Sequence, residues 1–291
     1  MLPWMSDLAL ARPWTVPSWR RRLQSNGQLV AGAALLAMFG LLAVFPSAFA
    51  GANPQDCPLS RSLQAPGPGH LFGYDLQGCD YRAVTVYGTR TSLGLALVVI
   101  AGTSAIAVVV GSIAGYAGGH VDALLTRLTD VWSSIPLVLG AVIVLSGSSA
   151  RGFWQVALVL VVFGWPPMVR VLRASVLEIR ARDYVTAARA LGSGPVRIVL
   201  HHVLPNALRP LVVFASAYAG VVIAAEATLT FAGVGLQLPT QSWGVQLYTA
   251  QDRIGQAPHL LIFPGLFVLL AVVGCVLLGE GLRRRVSTAD R

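Results

Sequence analysis

The residues of this chain that could take part in chemistry are few and far apart. Glu226 is the only acidic residue well inside a long apolar stretch, where a charge is costly and marks either a functional position or a hydrogen-bonded helix joint. Both interpretations of Glu226, a translocation path or gate and a structural joint, stay open at this point. Cys57 and Cys79 lie in one polar stretch, so a disulfide between them is possible in an oxidising compartment.

Hydrolytic chemistry is poorly supported. The serines at 146–149 lack a GxSG pattern, and His259 is a lone candidate base, whereas nucleophilic catalysis needs the two groups together. The sequence has no CxxC pair or His/Cys cluster, which argues against a zinc or iron–sulfur site. It also has no GxxxxGK[ST] loop, so we expect no ATPase activity on this chain. These absences favour a non-enzymatic role.

The elements that position these residues are apolar and long. Hydrophobic residues make up 55% of the 291 residues and charged residues 11%, with a mean hydropathy of +0.68. About 20 apolar residues cross the hydrocarbon of a bilayer as a helix, and six segments approach that length: 28–50, 91–115, 128–147, 154–173, 207–235 and 259–281. The sequence therefore predicts an all-α integral membrane protein with six transmembrane helices.

The third and fourth segments are interrupted by Pro136, Pro166 and Pro167. Proline is tolerated in a spanning helix when neighbouring helices satisfy the freed backbone groups. We expect two kinked, packed helices, and a re-entrant hairpin is the alternative.

Arginine supplies every basic side chain other than histidine, and its distribution predicts the topology. Basic residues concentrate on the cytoplasmic side of membrane proteins, and with both termini cytoplasmic sixteen arginines lie inside and five outside. The five outside are Arg61, Arg82, Arg90, Arg151 and Arg253. Because the arginines flank apolar spans and form no basic face with interleaved aromatics, the net charge of +9 points to anionic lipid headgroups and away from nucleic acid.

This topology divides the chain into five parts. A cytoplasmic segment (1–27) precedes the first span (28–50), which we interpret as retained because its apolar run exceeds the core of a signal peptide. An extracytoplasmic loop (51–90) contains Cys57 and Cys79, the two cysteines that could form a disulfide. A five-helix core (91–281) contains a cytoplasmic loop (174–206), and a cytoplasmic tail (282–291) ends the chain.

The cytoplasmic loop has the pattern of two short helices around a glycine turn. Helix formers and small residues run from Val185 to Leu191, Gly192 allows a reversal, and Pro195 can start a second helix. The stretch DYVTAARALGSGPVRIVLHHVLPN, from Asp183 to Asn206, resembles the "EAA" loop of ABC-transporter permeases, which docks on a cytoplasmic ATPase. The resemblance implies coupling roles for six residues: Thr186, Ala187, Ala188, Gly192, Leu204 and Pro205. The glutamate of that motif is Thr186 here. The other interpretation is an amphipathic linker lying on the headgroups.

Further segments are similar to the same family. His70 to Leu93 resembles the "HPLGTDxxGRDxxSRxxYGxRxSL" segment of peptide-type permeases, Gly111 to Pro136 resembles their connection between the second and third spans, and Glu226 to Gly244 resembles "EAxLSFLGxGxxxPxxSWG". Together these segments identify the chain as similar to the C-type permease subunits of dipeptide and oligopeptide ABC importers, the OppC/DppC kind, with a type I permease fold.

The resemblance implies a permease half that translocates peptides across the bacterial cytoplasmic membrane by alternating access. Expected partners are a second, different permease forming a heterodimer, two cytoplasmic ATPase domains that use ATP and Mg²⁺, an extracytoplasmic substrate-binding protein and membrane lipids. The chain itself is expected to hold no cofactor or metal. Import of nickel or another small solute is the alternative within this class. A stand-alone secondary carrier is a further alternative, but it would need repeats or ion ligands that the sequence does not show.

Overall fold

The structure is a computed structural model that describes residues 18–148 and 151–289. Within those ranges it consists of α-helices and connecting segments, without a β-strand. The helices are α1 (Ser18–Val44), α2 (Pro46–Ala50), α3 (Tyr81–Ala117), α4 (Gly119–Ser133), α5 (Leu137–Ser146), α6 (Phe153–Gly164), α7 (Pro166–Arg180), α8 (Asp183–Ala190), α9 (Pro195–Ile198), α10 (Leu204–Phe231), α11 (Trp243–Ala250) and α12 (His259–Ala289). Arg12, Arg291 and Ser149, which entered the sequence predictions, lie outside the described residues.

Among residues 18–148 and 151–289, four helical stretches are long and apolar enough to cross a membrane. They are Gly27–Val44, Tyr81–Ala117, Pro195–Phe231 and His259–Arg285, the third of which joins α9 to α10 through a π-helical turn at Val199–Val203. Two further candidates are bent pairs, α4 with α5 at 69° and α6 with α7 at 46°. The predicted six spans are reached when each bent pair counts as one crossing.

Proline accounts for the position of both bends. Pro136 stands immediately before α5, and Pro166 is the first residue of α7. A proline donates no backbone hydrogen bond and its ring clashes with the preceding turn, so a helix restarts there at a new angle. The kinks predicted in the third and fourth segments are therefore full breaks between helices.

Helix α3 is longer than the span predicted from the sequence. It begins at Tyr81, where the Asp80 side chain accepts a hydrogen bond from the Ala83 amide at 3.0 Å. At 1.5 Å per residue its 37 residues extend about 55 Å, well beyond the hydrocarbon thickness. In the predicted external loop (51–90), residues 51–80 therefore lie outside the α-helices, and the last ten residues, 81–90, belong to α3.

The core brings distant parts of the chain together. α12 packs against both α1 and α10, while α3 packs against α7 and α10. At one end of the bundle the rings of Phe39, Trp243 and Phe267 meet edge to face, with centroids 5.6 to 5.9 Å apart. Edge-to-face aromatic contacts stabilise a packed core beyond their buried area, and this cluster fixes α11 between α1 and α12.

Candidate functional site

The loop between α7 and α10 forms a short, capped helix followed by a turn. α8 ends in a Schellman motif, in which the Ser193 amide donates to the Ala188 carbonyl at 3.1 Å and the Gly192 amide donates to the Arg189 carbonyl at 3.0 Å. This motif places its terminal residue in the left-handed region, and Gly192 has φ of +82°. The backbone therefore explains the glycine at 192 without reference to any contact within the chain.

The same loop is anchored to the bundle by a few buried side chains. Val185 of α8, Ile198 of α9 and Val203 of the π-helical turn are each no more than 1% exposed and belong to the main core. The Asn206 side-chain amide donates to the His202 carbonyl at 2.9 Å and to the Tyr184 hydroxyl at 3.4 Å. These contacts fix the orientation of α8 relative to the start of α10.

The outer face of the loop is apolar and exposed. The side chains of Tyr184, Leu191, Val196 and Leu200 are 46%, 87%, 70% and 52% exposed. We call these four residues the coupling surface, after the role that the EAA resemblance implies for this loop. Exposed apolar side chains grouped on one short segment are candidates for contact with a protein or a membrane, and this loop buries some of its apolar residues while it exposes these four.

The six residues predicted from the EAA resemblance fall into two groups. Thr186, Ala187, Ala188 and Gly192 lie on α8 and its terminal turn beside the coupling surface, and of these only Ala188 is partly covered. Leu204 and Pro205 begin α10, with Leu204 packed against the core. The structure thus brings four of them to the exposed face and places the other two where the loop joins the span.

Thr186 stands where the EAA motif has glutamate. Its hydroxyl donates to the Arg182 carbonyl at 3.5 Å and its side chain is exposed. The Arg182 guanidinium instead pairs with Glu178 of α7 at 2.6 Å. No carboxylate side chain extends from α8 at this position.

Glu226 lies at the opposite end of α10 in a buried polar cluster. Its Oε1 accepts hydrogen bonds from the Thr230 hydroxyl at 3.0 Å and the Ser242 hydroxyl at 3.1 Å, and the residue is 1% exposed. Ser242 in turn caps α11 by accepting from the Val245 amide at 3.2 Å. The contacts match the helix-joint interpretation, because Glu226 links α10 to the start of α11.

α11 is bound to α3 by a second set of hydrogen bonds. Gln246 donates to the Val84 carbonyl at 3.0 Å and accepts from the Thr85 hydroxyl at 3.1 Å. The Trp243 amide donates to the Ser92 hydroxyl at 3.2 Å, and its indole donates to the Thr85 carbonyl at 3.2 Å. Glu226 Oε2 is buried and has no hydrogen-bond partner among the described residues. The hydrogen bonds that the other polar groups make connect α3, α10 and α11 in one arrangement.

A cleft lies between this joint and the loop that the predicted topology places outside the membrane, and we call it the external cleft. Cys57 and Cys79 form a disulfide in the structure and line a cleft of about 390 Å³ together with α11 and the residues at 238–241. Asp75, also in the lining, accepts backbone hydrogen bonds from Gln77 and Cys79, each at 2.8 Å. Burial raises the pKa of Asp75 above its ordinary value, and the backbone donors oppose that change.

Sequence reasoning missed the contacts that two arginines of α7 make with α3 and α4. Arg173 binds Asp122 of α4, and Arg180 donates to the Gly115 and Tyr116 carbonyls at the end of α3. The arginine distribution predicts the topology, but it does not identify a bonding partner for either of these arginines. Their recurrence at helical spacing on α7, with acidic residues eight positions apart on α4, was a signal that could have indicated helix-to-helix pairing.

The described residues contain four to six apolar helical stretches long enough to cross a membrane, and the short helix α8 lies between two of them, so the fold is that of a helical membrane protein. Residues 107–289 match the model of the family described as binding-protein-dependent transport system inner membrane component, and the chain belongs to that family. Its members are multi-pass proteins of the inner membrane that act with a binding protein.

Relatives of known name support this assignment over almost the full length. The chain is 34% identical to the dipeptide transport system permease protein DppC of Alkalihalophilus pseudofirmus, covering 92% of this chain and 89% of that protein. It is 31% identical to the glutathione transport system permease protein GsiD of Pectobacterium atrosepticum, covering 97% and 93%. Among solved structures, an inward-facing MetNI methionine ABC transporter matches with a TM-score of 0.57 and 21% identity over 72% of this chain and 96% of that one. That likeness shows an ABC importer permease fold.

Proposed function

We propose that this chain is one permease half of an ATP-driven peptide importer. The observation that carries the proposal is the coupling surface, an exposed apolar face held outward by buried anchors on both of its sides. The names of the relatives, a dipeptide permease and a glutathione permease, support small peptides as the substrate class.

The coupling surface is suited to a folded protein partner. Leu191 and Val196 flank a glycine turn, and a Cβ at Gly192 or Gly194 would meet no atom within 4 Å in this chain. Open space at both glycines leaves room for another backbone to approach closely. We propose that a cytoplasmic ATPase domain occupies this face, that ATP and Mg²⁺ bind to that partner, and that Ala187 and Ala188 pack against it.

The complete transporter then needs four kinds of partner. A second, different permease would complete the pathway, two ATPase domains would supply the energy, and an extracytoplasmic binding protein would deliver the peptide. We place both termini in the cytoplasm, in agreement with the arginine distribution. Glu226 serves as a joint near the outer end of the pathway, because its contacts are with hydroxyl groups of packed helices.

The external cleft is the proposed side of binding-protein contact. We propose the segments 51–90 and 236–258 as docking surfaces, and residues of both line this cleft. The disulfide between Cys57 and Cys79 ties the first segment into a compact loop. A loop that is already ordered loses less conformational entropy when a partner binds.

The test is peptide uptake by proteoliposomes containing the co-expressed permeases, ATPases and binding protein. Leu191→Asp changes the most exposed residue of the coupling surface, and Leu59→Asp is the matched control, since Leu59 is 75% exposed in the external loop. We expect Leu191→Asp to abolish co-purification of the ATPases and ATP-dependent uptake, and Leu59→Asp to keep the ATPases bound. Normal ATPase binding and uptake by Leu191→Asp would overturn the proposed coupling role. Nickel uptake without peptide uptake by the wild type would overturn the substrate.

A further inference from the structure

Arg173 and Arg180 of α7 reach across to the junction of α3 and α4, whereas Arg170 pairs with Asp130 in the last turn of α4. Arg170, Arg173 and Arg180 lie within about 80° of one another around the helix at 100° per residue. α7 ends only two residues before α8 begins. α7, which leads directly into the coupling surface, is therefore bonded to α3 and α4.

The strongest of these contacts joins Arg173 to Asp122. The Arg173 Nε lies 2.5 Å from Asp122 Oδ1, and its Nη2 lies 2.7 Å from Oδ2. The pair is thus bidentate, which fixes relative orientation as well as distance. The side chains are 29% and 16% exposed, so water screens this pair less than a surface pair.

Close backbone packing surrounds the pair. A Cβ at Gly115 of α3 would lie 2.8 Å from the Val176 side chain and 3.0 Å from the Arg173 carbonyl oxygen of α7. Arg180 donates to the Gly115 carbonyl at 2.8 Å and to the Tyr116 carbonyl at 3.0 Å, which satisfies acceptors at the end of α3. The end of α3, the start of α4 and all of α7 therefore form one packed unit, which we call the elbow.

We propose that Arg173 is a positioning residue for transport, which together with Asp122 makes the elbow move as one body with α8. Displacement of the coupling surface then reaches α4 and, through the 69° break, α5. This inference rests on the proposed function, because it assumes that an ATPase displaces α8. Packed elements with two discrete arrangements carry coupling between distant sites, and a bidentate pair resists the sliding that would separate α7 from α4.

The chain contains its own comparison pair. Arg170 and Asp130 join the same two helices with the same residue types, but through a single carboxylate contact at 3.0 Å and with side chains 50% and 54% exposed. Exposed pairs of this kind contribute little. A role of general surface charge would affect both pairs equally, whereas the proposed role is confined to Arg173 and Asp122.

The first experiment measures peptide imported per ATP hydrolysed by the complete complex in proteoliposomes. Arg173→Lys keeps the charge but loses the bidentate geometry, and we expect the ratio to fall about fivefold or more, the lower end of usual coupling effects, at equal assembly. Arg170→Lys should leave it unchanged. The reversed pair, Arg173→Asp with Asp122→Arg, should recover part of the ratio lost in Arg173→Asp alone. An unchanged ratio in Arg173→Lys, or an equal fall in Arg170→Lys, would overturn the proposal.

A second measurement does not depend on how the Arg173 variants fold. Spin labels on Leu124→Cys of α4 and Arg182→Cys, between α7 and α8, would report the distance across the elbow during the ATP cycle. The native cysteines interfere little, because Cys57 and Cys79 are bonded and Cys275 is buried. We expect that distance to change by less than about 2 Å, and a larger change on ATP binding would overturn the proposal. Absence of ATP-dependent uptake in the wild type would instead refute the proposed function.

Discussion

Substitution of Gly192 separates two reasons for a glycine at the end of α8. One reason is the backbone, since φ at this residue is +82°. The other is room for the proposed ATPase, since a Cβ there would meet nothing within 4 Å in this chain. Gly192→Ala and Gly192→Asn distinguish them, because asparagine tolerates the left-handed region better than alanine but has a larger side chain.

The magnitude follows from the local geometry. An L-residue other than asparagine or aspartate in the left-handed region costs about 1–2 kcal/mol, a factor of about 5 to 30 in the local equilibrium. No steric term is added within the chain. Gly192→Ala should therefore weaken the end of α8 and its Schellman bonds without unfolding the spans, and Gly192→Asn should weaken it less. Gly194→Ala is the control, since Gly194 has φ of −65° and open surroundings.

The two readouts should rank the variants in opposite orders. Hydrogen exchange at the Ser193 amide, which donates to the Ala188 carbonyl, measures the local stability of the turn in the permease. We expect the protection of this amide in Gly194→Ala to equal that in the wild type. We expect it to be higher in Gly192→Asn than in Gly192→Ala. ATP-dependent peptide uptake by the complete complex measures the contact, and there Gly192→Asn should be the poorer of the two. If uptake follows the order of local stability, the glycine serves only the backbone and the argument for a closely approaching partner at this turn is refuted.

The external joint and loop give three further predictions. Gly235→Ala should lower the yield of folded protein, because its Cβ would lie 2.3 Å from a threonine hydroxyl and 2.6 Å from a backbone nitrogen. Gly255→Ala is the control, since its Cβ meets open space. Size-exclusion chromatography measures the yield of both variants, and we expect Gly255→Ala to match the wild type. Glu226→Gln should keep an acceptor for the two hydroxyls and should melt at the wild-type temperature. Glu226→Leu leaves both buried hydroxyls without this acceptor and should lower the free energy of unfolding by about 1–3 kcal/mol. Equal melting temperatures of the two variants would contradict the role of Glu226 as a helix joint. Cys57→Ser with Cys79→Ser should destabilise the external loop by about 3 kcal/mol, measured as its susceptibility to limited proteolysis, and unaltered cleavage would show that the disulfide does not order the loop.

Membrane spans were predictable from the sequence because their signal is local. Long apolar runs such as the one within Tyr81–Ala117 identify themselves by hydropathy alone, and the structure has helices at all six predicted segments. The positions of the two breaks were also predictable, because Pro136 and Pro166 mark them in the sequence. Their angles were not, since a bend depends on which neighbouring helix each half packs against.

The candidate sites were predictable only in part, for physical reasons that differ between them. Gly192 and Pro195 carry their own conformational preferences, so the turn between two short helices followed from residue types. The bond between Arg173 and Asp122 joins residues 51 apart in sequence, and nothing local distinguishes it from the exposed pair of Arg170. The exposure of Leu191 was equally hidden, because an apolar residue in an amphipathic loop can face either way until the fold is known.

α10 connects the two ends of the molecule at which this protein would meet partners. Its first residues are held to α8 through Asn206 and Tyr184, and its last turns carry Glu226 and Thr230, which join it to α11 beside the external cleft. Its 28 residues span about 42 Å at 1.5 Å per residue, more than the thickness of the hydrocarbon. α10 can transmit a displacement from α8 to α11 only while its contacts at both ends are kept. Loss of the Glu226 joint should therefore interrupt transmission to α11 while the contact between Asn206 and Tyr184 stays intact, whereas loss of the bond between Arg173 and Asp122 should act on α4 and α5. The two routes from the coupling surface thus start at the same short helix and diverge on either side of it.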